Sequence, residues 1–363
     1  MWYIKVYRPS NVYLLIFSTL LIISICLTLY DKKLLDLRLV KGSDMVNVSS
    51  IEYLRVNLDF KSNTAVCQSN DKLLIYILST VTNYQRRKII RSTWGSPLAN
   101  TCFVFIVGKI ENYASIETII NDEKRVYKDI VQIDHIESYA NVIYKEVAAL
   151  QWSEHVYPSI PYLFKTDDDL IIDPMLISNI VQVLLTNSID SSSYISKHRS
   201  VLNQMLINSD RSTFFRGGWS MNFQPTLRTS KFAISESVWP HPVLPLYCSG
   251  FGWLMSKEVR NRLAKASYTY PKDKIAWVGD VFASGFLAKS ADVKCIGLPI
   301  DYEQTFSANC SCLMLQRPML TVCSSTFHAG GGGDQTQKFK EYEKAWKIIQ
   351  QRHKLTPTDV SDC

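Results

Sequence analysis

Three adjacent carboxylates, Asp167, Asp168 and Asp169, follow the apolar run YLFK at residues 162–165 after a single residue, Thr166. Like charges this close repel, so the triplet calls for a positive partner. Carboxylate oxygens are hard donors and suit Mg²⁺ or Mn²⁺. Along a strand, residues i and i+2 point the same way, which lets Asp167 and Asp169 share a metal while Asp168 faces away. The plain alternative is a solvated acidic turn. A second group is basic: Arg86, Arg87, Lys88 and Arg91, within NYQRRKIIRSTWG at residues 83–95. Arg87 and Arg91 stand i,i+4 on a helix and share a face. That pair could grip a diphosphate; a solvated basic face is the competing reading. Asp280, set between apolar residues in WVGDVFASG, could serve as a general base or cap a helix. His328, in TFHAGG, could complete a metal site or be structural. Cys310, Cys312 and Cys323 together with His328 could hold zinc, but their spacing is not that of a standard zinc site.

These groups need a frame. LLIYILS at residues 73–79, CFVFIVG at 102–108 and YLFK at 162–165 are short apolar runs of the kind buried strands have. Residues 130–136 predict a strand or a loop. Helices are expected at 83–95, 114–124, 140–156 and 174–185. Alternation of strand and helix implies an α/β domain with a mainly parallel sheet. In such sheets ligands bind at the carboxyl ends of strands, where the Asp triplet falls. Residues 188–245 mix Ser, Arg, Gly and Pro irregularly and predict loops. A strand near 250–255 and helices at 256–266 and 336–352 complete the expectation; Gly330 to Gly333 reads as a loop.

The chain has 363 residues, 47% of them hydrophobic, enough for a sizeable core. Its net charge is +7, from 40 basic and 33 acidic residues spread along the chain. No basic run resembles a nucleic-acid arm, so nucleic acid is not an expected partner. Val12 to Tyr30 carry no charge. A stretch of roughly 20 such residues can span a bilayer, and no small-residue cleavage site follows it. An uncleaved membrane anchor is expected at 12–30, behind a cytosolic tail at 1–11 and ahead of a stem at 31–70. The catalytic domain then runs over 71–355, with a short tail at 356–363. Flanking charge does not orient the anchor. Of nine cysteines, only Cys26 lies in the apolar segment. The even remainder suits disulfides in an oxidising lumen. Sequons at Asn47 and Asn309 agree.

Five ordered stretches are similar to one family. QRRKIIRSTWG (85–95) looks like R-x-x-I-R-x-T-W-G. Residues 128–152, KDIVQIDHIESYANVIYKEVAALQW, are similar to the block D-x-Y-x-N-L-T-x-K and its flanks. FKTDDDLIID (164–173) resembles K-x-D-D-D. LPLYCSGFGWLMS (244–256) and VGDVFASG (278–285) resemble Y-x-S-G-x-G-Y and E-D-V. Over roughly residues 72–330 the chain resembles the β1,3-galactosyltransferase family, glycosyltransferase family 31, which includes β1,3-N-acetylglucosaminyltransferases. The resemblance implies a GT-A fold, a type II Golgi membrane anchor with the catalytic domain in the lumen, and inverting transfer of a hexose. The donor would be UDP-galactose or UDP-N-acetylglucosamine, and the acceptor a glycan on protein or lipid. It implies Mn²⁺ held chiefly by Asp169, with Asp167 and Asp168 near the ribose, diphosphate and metal. His328 would join the metal shell, Arg87, Arg91 and Lys145 the donor side, and Asp280 would be the general base. Four departures stand out: Gly279 replaces the family Glu, Val142-Ile143 replace Leu-Thr, Trp253 replaces the Tyr, and Leu246 separates Pro245 from Tyr247. A reading from another class is an inactive homologue acting as a luminal chaperone or glycan-binding protein. It predicts loss of the metal or base residues, and both sets are present.

Overall fold

A computed structural model describes residues 51–60, 67–111, 114–188, 200–305, 309–325 and 335–353. The expected anchor at 12–30, His328 and the Asn47 sequon lie outside the described residues. Among the described residues no helix is long and apolar enough to cross a membrane.

Strand β1 (Leu73–Leu78) is buried at every position. It pairs in parallel with β2 (Thr101–Lys109) and β4 (Tyr162–Asp167), and β3 (Ile130–Ile136) adds in parallel to β2. Beyond β4 the sheet continues antiparallel through β9 (Trp253–Ser256) and β6 (Phe215–Gly217), then parallel to β10 (Ile296–Gly297). The order across the sheet is β3-β2-β1-β4-β9-β6-β10. A smaller sheet joins β5 (Leu170–Ile172), β12 (Leu320–Ser324) and β11 (Asp301–Glu303). A two-stranded ribbon joins β7 (Ser220–Met221) to β8 (Tyr247–Cys248).

The alternation of side chains along β1 explains the layering. Leu73, Ile75 and Ile77 enter one hydrophobic core, Leu74, Tyr76 and Leu78 the other. The first core takes Ile89 and Ile90 from α1 (Tyr84–Ser92), Ile120 from α2 (Ala114–Tyr127), and Leu176 and Ile180 from α4 (Pro174–Thr186). The second takes Val147 and Leu150 from α3 (Val142–Val156) and Val259 and Leu263 from α6 (Lys257–Tyr268). It also takes Phe282 and Phe286 from a segment that begins as α7 (Gly279–Val281), continues as a π-helical stretch (Phe282–Leu287) and ends at Ala288–Ser290. A sheet covered on both faces has near-continuous apolar strands, as β1 does along its length and β4 over Tyr162–Phe164.

The irregular stretch 188–245 holds α5 (Ser200–Ile207) as well as β6 and β7. Also unanticipated are β5, β11, β12 and α8 (Cys310–Gln316). The last helix, α9 (Gln335–Arg352), anchors its end on α4. There the buried Asp173 caps the Leu176 N–H at 2.9 Å and meets Arg352 at 3.3 Å and His353 at 3.1 Å. The domain also reaches back before residue 71. Leu54 is buried and its N–H bonds to Tyr270 O. Disulfides join Cys67 to Cys102, Cys248 to Cys295 and Cys310 to Cys323. Cys310 and Cys323 are therefore not zinc ligands.

Candidate active site

In this sheet β2 and β3 are added on one side of β1 and β4 on the other, so the strand order reverses between β1 and β4, where open α/β sheets form a ligand crevice. A cleft of about 450 Å³ lies there, beside the carboxyl ends of both strands. Ser79 and Thr80 follow β1 into it. The Asp triplet follows β4, and Asp168 N–H still pairs with Leu78 O at 3.1 Å. The backbone of the triplet is clamped from behind. Tyr342 of α9 donates to Asp168 O at 3.2 Å, and the Ser325 N–H to Asp169 O at 3.2 Å.

The three carboxylates diverge. Asp168 is buried and turns toward β1 and α1, accepting from Ser79 Oγ at 2.6 Å, Asn83 Nδ2 at 2.8 Å and Arg86 at 3.0 Å. Burial still pushes its pKa up, against the pull of Arg86. Asp167 is half-buried, with Lys165 Nζ at 2.9 Å. Burial raises its pKa, Lys165 opposes, and the charge of Asp169 raises it again. Asp168 thus faces away from Asp167, as strand alternation requires, and is occupied by its own donors.

Lys165 is the hub of the cleft floor. Its buried Nζ bonds to Asp167 and to Gly250 O, and lies 3.6 Å from Glu146. Burial opposes its charge, but Asp167 and Glu146 outweigh that and lift its pKa. Glu146 is fully buried on α3, accepts from Tyr76 OH at 3.1 Å and has a pKa raised by burial to about 7. The Gly250 N–H in turn donates to Asp280 Oδ2 at 3.1 Å, while Asp280 Oδ1 accepts the Val281 N–H at 2.9 Å. Asp280 thus opens α7, and burial raises its pKa despite those N–H donors. Its strand neighbour is fixed too: Ser284 Oγ bonds Asp280 O and both backbone groups of Cys248. The chain turns between them at Gly252, whose φ of +151° and approach to Phe164 exclude a side chain. At Gly279, a Cβ would stand 3.2 Å from Val142 Cγ1, so two departures from the family pattern touch each other.

Of the sequence candidates, Asp167, Asp168, Asp169, Lys145 and Asp280 line this cleft. Lys145 Nζ bridges Ser79 O and Glu137, each at 2.8 Å. Arg87 and Arg91 do not line it, which corrects the expectation of a diphosphate grip. Arg87 is fully buried and forks onto Glu123 at 2.7 and 2.8 Å. Arg91 forks onto Asp129 at 2.7 and 2.8 Å and shares Glu123 at 2.7 Å. The helix turn instead delivers Asn83 and Arg86 to the cleft. Sequence reasoning also missed Glu146 and Lys165. Their signal was a charge placed inside an apolar run, where it must find a partner.

Cleft-lining side chains number five acids (Glu146, Asp167, Asp168, Asp169, Asp280) against three bases (Arg86, Lys145, Lys165). In a chain of net charge +7, this is a local acid excess. Asp167 and Asp169 both line the cleft, and carboxylate oxygens are of the kind that suits a hard divalent cation.

An α/β architecture with a ligand cleft at its switch point, floored by carboxylates, defines a protein built to hold a polar, charged small molecule. The galactosyltransferase family profile matches residues 85–299, more than half of the chain, and the chain belongs to that family. A β1,3-N-acetylglucosaminyltransferase 7 of Rattus norvegicus, named for UDP-GlcNAc and βGal, is 26% identical over 58% of this chain and 50% of its own length. The β1,3-galactosyltransferase 2 of Homo sapiens is 24% identical over 55% and 44%. An acetylgalactosaminyl-O-glycosyl-glycoprotein β1,3-N-acetylglucosaminyltransferase of Mus musculus is 24% identical over 60% and 53%. The chain spans about half the length of the curated relatives it matches. A galactosyltransferase crystallised with donor and acceptor sugar analogues superposes with a TM-score of 0.33 at 10% identity, over 79% of this chain and 98% of that one.

Proposed function

We propose that this chain is a UDP-sugar-dependent hexosyltransferase of GT-A type that forms a β1,3 linkage to a glycan hydroxyl with inversion. The donor is UDP-galactose or UDP-N-acetylglucosamine. The single observation that carries the reading is the acid excess at the β1–β4 switch point, in a chain of the galactosyltransferase family. Asp167 and Asp169 would hold a divalent cation, Mn²⁺ by preference. When bound, that cation offsets the charge of the diphosphate. Arg86, Asn83 and Lys145 line the side of the cleft next to β1 and offer donors to phosphate or ribose oxygens.

Asp280 is the base. Burial raises its pKa, which makes its carboxylate a better proton acceptor than that of a solvated Asp. It takes the proton of the acceptor hydroxyl as that oxygen bonds to the anomeric carbon. The bond from the anomeric carbon to UDP breaks, and UDP leaves with the electron pair. Lys165 ties the two halves of the reaction, touching Asp167 on the cation side and the Gly250 peptide that fixes Asp280. The relatives' names span two acceptor types, a β-galactoside and an N-acetylgalactosaminide. We further propose a type II anchor at residues 12–30, with the domain in the Golgi lumen. The disulfides among the described residues support an oxidising compartment.

The test is UDP release by the full chain in detergent, with Mn²⁺ and a panel of UDP-sugars, with and without simple glycoside acceptors. Acceptor-stimulated release from one donor is expected. Asp280→Asn should lower kcat by about 10²–10⁴-fold, and Asp169→Ala should abolish Mn²⁺ dependence. Absence of both UDP release and Mn²⁺-dependent UDP binding would sink the proposal.

A further inference from the structure

The Asp triplet is held from behind by residues 156 and 174 positions further along the chain. Ser325 stands just past the end of β12, whose Ser324 pairs with Leu170 of β5. It carries that ladder one step further, because its N–H and its Oγ both donate to Asp169 O. Tyr342 sits on α9 with its side chain fully buried, and its hydroxyl donates to Asp168 O at 3.2 Å. A hydroxyl has one proton to give, and each of these gives it to a carbonyl of the triplet. The two hydroxyl oxygens stand side by side, 3.3 Å apart.

The elements that carry these hydroxyls are themselves pinned. Cys323 of β12 is tied by its disulfide to Cys310 of α8. Glu341, beside Tyr342, accepts the Ser311 N–H of α8 at 2.6 Å. Ala345, Ile348 and Ile349 of α9 are buried in the first core, and the helix end closes on Asp173 through Arg352 and His353. The carbonyls of Asp168 and Asp169 belong to the peptide planes on either side of Asp169. Holding both planes sets the φ and ψ of Asp169, and with them the direction of its Cα–Cβ bond.

We propose that Tyr342 and Ser325 are positioning residues for the cation site, aiming the Asp169 carboxylate into the cleft through the two carbonyls they hold. This role rests on the cation site proposed above. Neither residue lines the cleft, so their effect passes through the backbone of the triplet. Metal–ligand distances hold to within about 0.2 Å, so a small turn of the Asp169 Cβ takes its oxygen out of range. Groups that orient a ligand without touching the metal typically change its affinity by roughly 10–100-fold. A pair that served the fold alone would change stability and leave the affinity as it is.

The test uses the full chain in detergent. Tyr342→Phe and Ser325→Ala each remove one hydroxyl. Tyr270→Phe is the comparison, since it removes a phenol that donates to Lys274 O, away from the triplet. The rise of the unfolding midpoint with Mn²⁺, at a fixed UDP concentration, gives the apparent Kd for Mn²⁺ of each protein. The midpoint without metal shows how far folding alone has suffered. The Kd should rise by roughly 10–100-fold in Tyr342→Phe and Ser325→Ala and keep its wild-type value in Tyr270→Phe. In UDP release, the KM for Mn²⁺ should rise in proportion, with kcat at saturating Mn²⁺ close to that of the wild type. If one hydroxyl variant does not fold, the other decides. Unchanged Kd in either folded hydroxyl variant, or an equal loss in Tyr270→Phe, would overturn the positioning role and leave the transferase reading standing. Wild-type protein whose midpoint does not respond to Mn²⁺ with UDP would sink the cation site itself, and the positioning role with it.

Discussion

Two clusters of acids and bases lie on either side of the Ser79–Val81 loop, and they are built to opposite ends. Under α1, Glu123 and Asp129 face Arg87 and Arg91, two against two, with forked contacts of 2.7–2.8 Å. In the cleft, five acids face three bases. Burial raises the pKa of Glu146, Asp168 and Asp280 there, and of Asp167. A buried pair with matched forks can be a fixed part of the fold. An acid excess is what the proposed cation would balance. The clusters meet at Ser79, whose Oγ donates to Asp168 at 2.6 Å and accepts from Arg87 at 3.2 Å. The arginine thus serves the site from behind, as a positioning residue, while its neighbour Arg86 faces the ligand space.

The largest expected effect breaks the balanced cluster. Arg87→Ala leaves the buried Glu123 with Arg91 alone and should cost about 3–5 kcal/mol of stability in denaturant titration. Loss of UDP affinity at unchanged stability would instead put Arg87 in the donor site and erase the distinction. The next effect fills the unbalanced one. Mn²⁺ at 100 times its Kd should stabilise the protein by about 2.7 kcal/mol, seen as a rise in Tm, and Asp169→Ala should abolish that rise. The sharpest contrast is one of sign. Without metal, Asp169→Asn should stabilise the chain by roughly 0.5–2 kcal/mol, since it removes the repulsion that Asp169 exerts on Asp167 and Asp168. Glu123→Gln should destabilise it. Equal signs in calorimetry would mean the cleft holds no uncompensated charge.

How much of this the sequence discloses depends on whether a feature is local. The strand β1, the triplet at the end of β4 and Asp280 at a helix start are legible because each is set by a few consecutive residues. The choice between Arg86 and Arg87 is not. One residue is a rotation of about 100° on a helix, and which face meets the cleft depends on the sheet beneath. Glu146 and Lys165 hide inside apolar runs, and their meaning appears only when α3 packs beside β4. The small sheet hides for a longer-range reason. Ile171 pairs with Cys323, and neither short run has a period of its own. A cavity on the far side of Asp280 lies in residues that read as plain loop, since its order comes from Arg228 binding carbonyls rather than from any repeat.

The smallest effect concerns pH and singles out Glu146. Its folded pKa of about 7 stands above the roughly 4.3 of an unfolded Glu. The folded state therefore binds more protons than the unfolded state throughout that interval. Stability falls as pH rises wherever the native state holds the extra proton. The contribution is fully present below about pH 4 and is lost by the time pH passes 7. In metal-free protein this amounts to roughly 1 kcal/mol between pH 6 and 7. Glu146→Gln should flatten the stability profile in that window, because glutamine can still accept from Tyr76 OH but carries no titrating group. A slope that survives Glu146→Gln would place the titrating acid elsewhere in the cleft, with Asp280 the first to examine by the same substitution.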